Sequence, residues 1–277
     1  MGSKHDQRRT FMPGGGSTVV CGEKGGDNSS DVVLGSRKDL HCSGTVWPAA
    51  YALFSHLQSY DMDGKKVLEL GSGTGWLGLQ LGRCFPHSHQ VCTDHPDYMH
   101  ALRESLSQNP VSNVEARELD WANPWSEEEF QKFGFVIGSD LVYNVYLTKI
   151  LASCWRRVLD AGNSVQIVYA HMLHRWQDAG VDWPLHEACV SQGIALHVLE
   201  MNGTRPESAE CNLSEVPEGQ LPVIFEVRSG EMPKYSTTLL RSAVTQAEMR
   251  SMREWEMADE DERSEILMAA AISEIEW

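Results

Sequence analysis

The sequence is short of positive charge. Twenty-three Lys and Arg stand against 39 Asp and Glu in 277 residues, a formal net charge of −16. Phosphate backbones are gripped by clustered Lys and Arg, so this balance argues against charge-driven nucleic-acid binding. It argues equally against docking on anionic membranes. Long hydrophobic runs are missing as well. Nothing approaches the roughly 20 apolar residues that cross a bilayer, and no apolar run opens the chain as a secretory signal would. The seven cysteines (Cys21, Cys42, Cys84, Cys92, Cys154, Cys189, Cys211) are odd in number, scattered, and never spaced as CxxC. That pattern excludes a disulfide framework and a zinc site, and fits reduced thiols in the cytosol, with the nucleus as a second address. No metal is expected.

Apolar residues make up 42% of the chain and charged residues 22%, enough for a sizeable core. Residues 1–30 are rich in Gly, Ser and charge, lack apolar periodicity, and are expected to be disordered. Residues 31–230 are expected to form one α/β domain. Strand-like runs occur at 65–70, 90–93, 114–119, 133–139 and 164–169, with helix-like stretches near 75–84, 97–108, 145–159 and 175–192. That alternation implies right-handed crossovers and a parallel sheet covered on both faces. Two further strands, 194–199 and 221–227, follow without a helix between them, which suggests an antiparallel pair at the end of the sheet. Residues 231–277 are read as an acidic helical tail. From Glu248 to Glu276 it carries ten acids and three arginines. It is expected to be a solvated helix packed on the domain, with a partner-binding helix as the alternative.

The strongest signal is Glu69-Leu70-Gly71-Ser72-Gly73-Thr74-Gly75-Trp76-Leu77-Gly78, directly after the first strand. Glycines let the backbone turn sharply and approach a ligand, and the helix that follows presents free N–H groups. In one register the run is GxGxxG, which serves several adenosine cofactors. Three features favour S-adenosylmethionine over NAD. Glu69 gives ExGxGxG. Asp94 ends the second strand, where its carboxylate can accept from both ribose hydroxyls, a feature that would also suit NAD. Asp120 and Trp121 follow the third strand, where an acid can accept from the adenine amine and an indole can stack on the ring. His171 and His174, after the fifth strand, are read as surface or capping residues, and Trp125, Trp155, Trp176 and Trp183 as core or surface-groove residues.

Gly44-Thr45-Val46-Trp47-Pro48-Ala49-Ala50 leads through a helix into Val67–Gly78. Together with Leu119-Asp120-Trp121 and Asp140-Leu141-Val142-Tyr143, this resembles the seven-strand protein lysine methyltransferases, methyltransferase family 16, over about 44–230. The resemblance implies a Rossmann-like, doubly wound, mostly parallel seven-stranded sheet whose last strand is antiparallel. It implies S-adenosyl-L-methionine as cofactor and a lysine-bearing protein as substrate, with translation factors and chaperones as typical classes, and a monomer. Residue by residue, Trp47 would line the cofactor or entry pocket. Gly71, Gly73 and Gly75 would wrap the methionine and ribose parts. Asp94 would hold the ribose, Asp120 and Trp121 the adenine, and Asp140 and Tyr143 would face the incoming amine. Other readings are a small-molecule N- or O-methyltransferase, a non-catalytic cofactor-binding interaction protein and an NAD-dependent oxidoreductase.

Overall fold

A computed structural model of the chain describes residues 46–142, 145–162, 165–173, 182–201 and 221–242. In chain order the elements are α1 (Pro48–Leu57), β1 (Lys66–Leu70), α2 (Trp76–Cys84), β2 (His89–Asp94), a single 3-10 turn (Pro96–Tyr98), α3 (Met99–Gln108), β3 (Val114–Glu118), α4 (Glu127–Phe130), β4 (Phe135–Ser139), α5 (Val145–Asp160), β5 (Gln166–Leu173), α6 (Asp182–Ser191), β6 (Ile194–Met201), β7 (Leu221–Ser229) and α7 (Lys234–Ser242). The seven strands form one sheet in the order β3-β2-β1-β4-β5-β7-β6. Strands β1 to β5 are parallel to one another, and β7 runs antiparallel to both β5 and β6.

Strand alternation deals the apolar side chains to two faces. Leu68 and Leu70 of β1, and Ile167, Tyr169 and Leu173 of β5, enter one core cluster with residues of α5, α6 and α7. Val67 of β1, and Val168, Ala170 and Met172 of β5, enter the other, against α1 and α2. Both faces are therefore covered, which is why the central strands read as near-continuous apolar runs.

The structure departs from the sequence reading in two places. Strand β5 runs on to Leu173, because antiparallel pairing carries it from Ile167↔Val227 to Leu173↔Leu221. His171 therefore lies inside the strand and is 1% exposed, not on the surface. One short helix, α4, was not legible; it places Phe130 in the core. Past residue 230, α7 is tied to the domain: the Ser236 hydroxyl donates to the Leu196 carbonyl, His186 Nε2 lies 3.0 Å from Thr237 Oγ1, and Leu239 and Leu240 are buried. No described helix is long and apolar enough to cross a membrane.

The feature that positions a site is the strand order. Moving along the chain, the sheet grows from β1 toward β2 and β3, then restarts on the other side at β4. The strand order reverses between β1 and β4, and the carboxyl ends of those two strands are the switch point at which open α/β sheets bind their ligands.

Candidate active site

Three glycines shape the loop after β1. Gly71, Gly73 and Gly75 have φ of 59°, 54° and 75°, left-handed values that a side chain makes costly. Gly71 also has no room for one: a Cβ there would sit 2.6 Å from Leu141 Cδ2 and 3.1 Å from Trp121 Cζ2. Gly71 is thus the meeting point of the loop after β1, the turn after β3 and the turn after β4.

The loop is fastened to β2. Ser72 N–H donates to the Thr93 carbonyl at 2.8 Å, Thr93 N–H donates to Ser72 Oγ at 3.0 Å, and Thr93 Oγ1 donates to the Glu69 carbonyl at 2.6 Å. Asp94 completes the clasp. Its Oδ2 accepts from Gly73 N–H and its Oδ1 from His95 N–H, both at 2.8 Å. Burial raises the Asp94 carboxyl above its ordinary range, against the pull of those two N–H donors. Each oxygen keeps a second lone pair for a ligand hydroxyl. Ser72 is the unforeseen member of this group; in sequence it is only the small residue between two glycines.

Glu69 is placed differently from the other loop residues. Its side chain is 4% exposed, and Oε2 accepts from the N–H of Gly78, the third residue of α2, at 3.2 Å. The carboxyl therefore caps the start of α2 from beneath. Burial pushes it up to about 7, with Ser72, Cys92 and Gly78 as the donors that oppose the rise. The ordinary value is 4.5. The folded state therefore holds the proton more tightly between those values, and stability falls as pH rises through that window. Relative to Glu69→Gln, the wild type should lose about 1–3 kcal/mol between pH 5 and pH 8 in urea unfolding. Parallel profiles for the two proteins would show that the carboxyl does not titrate there.

Asp120 holds the turn after β3. Its Oδ2 accepts from the Asn123 side-chain amide at 2.8 Å and its Oδ1 from Ala122 N–H at 2.9 Å. The Asn123 amide, then Ala122 N–H, keep the carboxyl below its ordinary range. Trp121 beside it is half-buried and reaches Gly71. Trp125 is instead a packing residue, stacked on Phe133 at 6.2 Å with the Arg117 guanidinium 4.0 Å over its ring.

At the end of β4, Asp140 is the only non-glycine residue with positive φ among the described residues, at 57°. Its N–H donates to the Ala170 carbonyl of β5 at 2.8 Å, and its side chain is 5% exposed. Asp tolerates this conformation better than most residues, but a strained backbone at a strand end in a crevice is a mark of function. Leu141 follows it directly and packs on Gly71. On the neighbouring strand, His171 Nδ1 lies 3.1 Å from the Tyr169 hydroxyl, both groups buried. Tyr143, like His174, lies outside the described residues.

Helix α1 adds the last wall. Trp47 is its N-cap, half-buried, with the extended angles φ −80° and ψ 151°. Tyr51, one turn further in, was not singled out by the sequence. Its ring meets that of Trp76 edge-on at 4.5 Å, and Trp76 directly follows Gly75. Among the described residues no group of three or more His, Cys, Asp or Glu is arranged to hold a metal ion.

The glycine loop is thus locked to an aspartate-ended second strand, with the turn after β4 packed on it. The family model described as lysine methyltransferase matches residues 28–179, more than half of the chain. The chain belongs to the lysine methyltransferase family. A Schizosaccharomyces pombe protein named diaminohydroxyphosphoribosylamino-pyrimidine deaminase is 34% identical over 120 residues, 42% of this chain and 29% of that protein. The EEF1A lysine methyltransferase 3 of Xenopus tropicalis is 34% identical over 110 residues, 38% of this chain and 47% of that one. The protein-lysine N-methyltransferase EFM3 of Chaetomium thermophilum is 29% identical over 154 residues, 50% of this chain and 46% of that one. This lysine methyltransferase family member thus spans less than half the length of these curated relatives.

Proposed function

We propose that this chain is an S-adenosylmethionine-dependent methyltransferase that modifies a lysine side chain of a protein. The observation that carries the reading is the contact of Gly71 with Leu141 and Trp121, which joins the glycine loop, the adenine-side turn and the Asp140 turn into one crevice in a member of this family. The cradle suits the cofactor. Positive φ at Gly71, Gly73 and Gly75 opens the loop, the first turn of α2 presents N–H groups to a carboxylate, and Asp94 sits at the strand end where ribose hydroxyls need acceptors. When bound, S-adenosylmethionine supplies a methyl group already activated on a sulfonium.

The protein then has to align and desolvate. Gly71, Gly73, Gly75 and Asp94 bind and orient the donor, Glu69 holds the helix start beneath it, and Asp120, Trp121 and Trp47 enclose the rest. A lysine ammonium has no lone pair and an ordinary pKa of about 10.4, so it must lose a proton before it attacks. Asp140 orients the amine and helps that proton leave. A carboxylate alone would raise the amine's pKa, and desolvation by the surrounding aromatic rings counters it. Tyr143 is assigned to the same acceptor side by its place in the motif.

The substrate is proposed to be a lysine-bearing protein, and an EEF1A-like protein is the first to test, after the name of the Xenopus relative. A monomer working in the cytoplasm or nucleus, without nucleic acid or membrane, fits the acidic composition and the scattered cysteines. Transfer of radiolabelled methyl from S-adenosylmethionine into lysate proteins, followed by mass spectrometry of the labelled residue, tests the reading. Methyl on lysine is expected. Methyl on histidine, arginine or a small metabolite would overturn the lysine assignment.

A further inference from the structure

Helix α1 ends at Leu57, and the chain reaches β1 at Lys66. The end of α1 therefore lies toward the edge where strands begin, and its start toward the edge where they finish. Tyr51 meets Trp76, the residue that directly follows the glycine loop. Tyr51 is half-buried, with its ring set against Trp76 at an interplanar angle of 66°. Burial raises its phenol, so the ring is neutral at any physiological pH. Trp76 is 3% exposed, packs also on Phe54 at 5.7 Å, and its indole N–H is buried without a hydrogen-bond acceptor. A neutral aromatic face beside the start of α2 suits a cation held by its ring electrons, and the attraction is strongest when the contact is desolvated.

Resting on the reading of the crevice as an S-adenosylmethionine site, we propose that Tyr51 is a specificity-determining residue whose ring faces the cationic centre of the reaction. The reaction is cationic on both sides: the donor carries a sulfonium and the methylated lysine leaves as an ammonium. A neutral ring favours both over their uncharged counterparts, where a second carboxylate beside Asp140 would hold the amine protonated. Trp76, anchored at the first position of α2 by the core, fixes the ring from behind.

The test uses two cofactor analogues and needs no substrate. S-adenosylhomocysteine is neutral at the sulfur, and sinefungin places an ammonium where the methyl would lie. Calorimetric titration of the full chain should show sinefungin losing roughly three- to tenfold in affinity in Tyr51→Leu, with S-adenosylhomocysteine within about twofold of wild type. Tyr51→Phe, which keeps the ring, should keep both affinities. Equal losses for the two analogues in the Leu variant would mean that Tyr51 only supports Trp76, and unchanged affinities would mean that no cation lies against it; either overturns the proposal. A wild type that binds neither analogue overturns the cofactor reading and this inference together. A wild type that shows the expected ratios yet labels no lysine overturns the proposed substrate class and leaves Tyr51 in its role.

Discussion

Asp140→Asn is expected to lower the rate of methyl transfer by a factor of about 10²–10⁴ and to leave S-adenosylhomocysteine binding within about threefold of wild type. The magnitude is that of a positioned proton acceptor, and the separation of rate from binding follows from geometry. In the proposed site Asp94 and Gly73, hydrogen-bonded to each other, would hold the donor, whereas Asp140 stands at the end of β4, two strands away from β2. Asparagine is the informative substitution. It matches the size of aspartate and tolerates φ of 57°, so the backbone turn that carries Leu141 onto Gly71 survives. Alanine would remove the charge and add about 1–2 kcal/mol of left-handed strain, confounding chemistry with folding. The lost rate should return in part at alkaline pH, where more of the amine is neutral without help. Steady-state rates on the labelled substrate across pH 7–10, with calorimetry of the product, check both halves. An Asn variant of near-normal rate would remove Asp140 from the chemistry.

Gly71→Ala should destabilise the fold by about 2–5 kcal/mol and weaken S-adenosylhomocysteine binding by more than about tenfold. Two costs add. An alanine at φ of 59° is strained, and its Cβ would stand 2.6 Å from Leu141 Cδ2 and 3.1 Å from Trp121 Cζ2, the ends of two side chains that would have to shift. Gly64→Ala provides the control, because Gly64 has φ of 68° with nothing within 4 Å of its would-be Cβ. It should cost only about 1–2 kcal/mol and leave binding untouched. Denaturant unfolding of both variants separates strain from contact. If Gly71→Ala behaves like Gly64→Ala, the three-way contact at Gly71 carries no binding energy.

The charged, part-exposed β3 gave a weaker signal, but most of the strands were legible because they are short apolar runs closed by turn residues, as a parallel strand buried on both faces requires. The limits of β5 were not. Its last four residues, Ala170 to Leu173, are held by pairing with β7, some fifty residues further along the chain. In the sequence His171 reads as a surface or capping residue for the same reason, since its burial depends on that extension. Glu69 was legible as an acid at a strand end, but not as a cap beneath α2, because its orientation follows from the way α2 folds back over β1. Tyr51 gave no signal at all. An aromatic on an apolar helix is ordinary core until the position of Trp76 shows what lies beside it.

The sequence by itself determined the cradle: the glycines that permit left-handed backbone, the acid at the end of the second strand and the order of strands and helices. These are local properties, set by which residues tolerate which dihedrals and by the period of the apolar pattern. The tertiary structure alone decided which side chains meet. It brought Leu141 and Trp121 onto Gly71, fastened Ser72 and Asp94 across the loop, and set Tyr51 against Trp76. Those contacts join residues far apart in the chain. Their distances are fixed only when the sheet closes at the β1–β4 crevice and the packed faces leave each side chain one place to go.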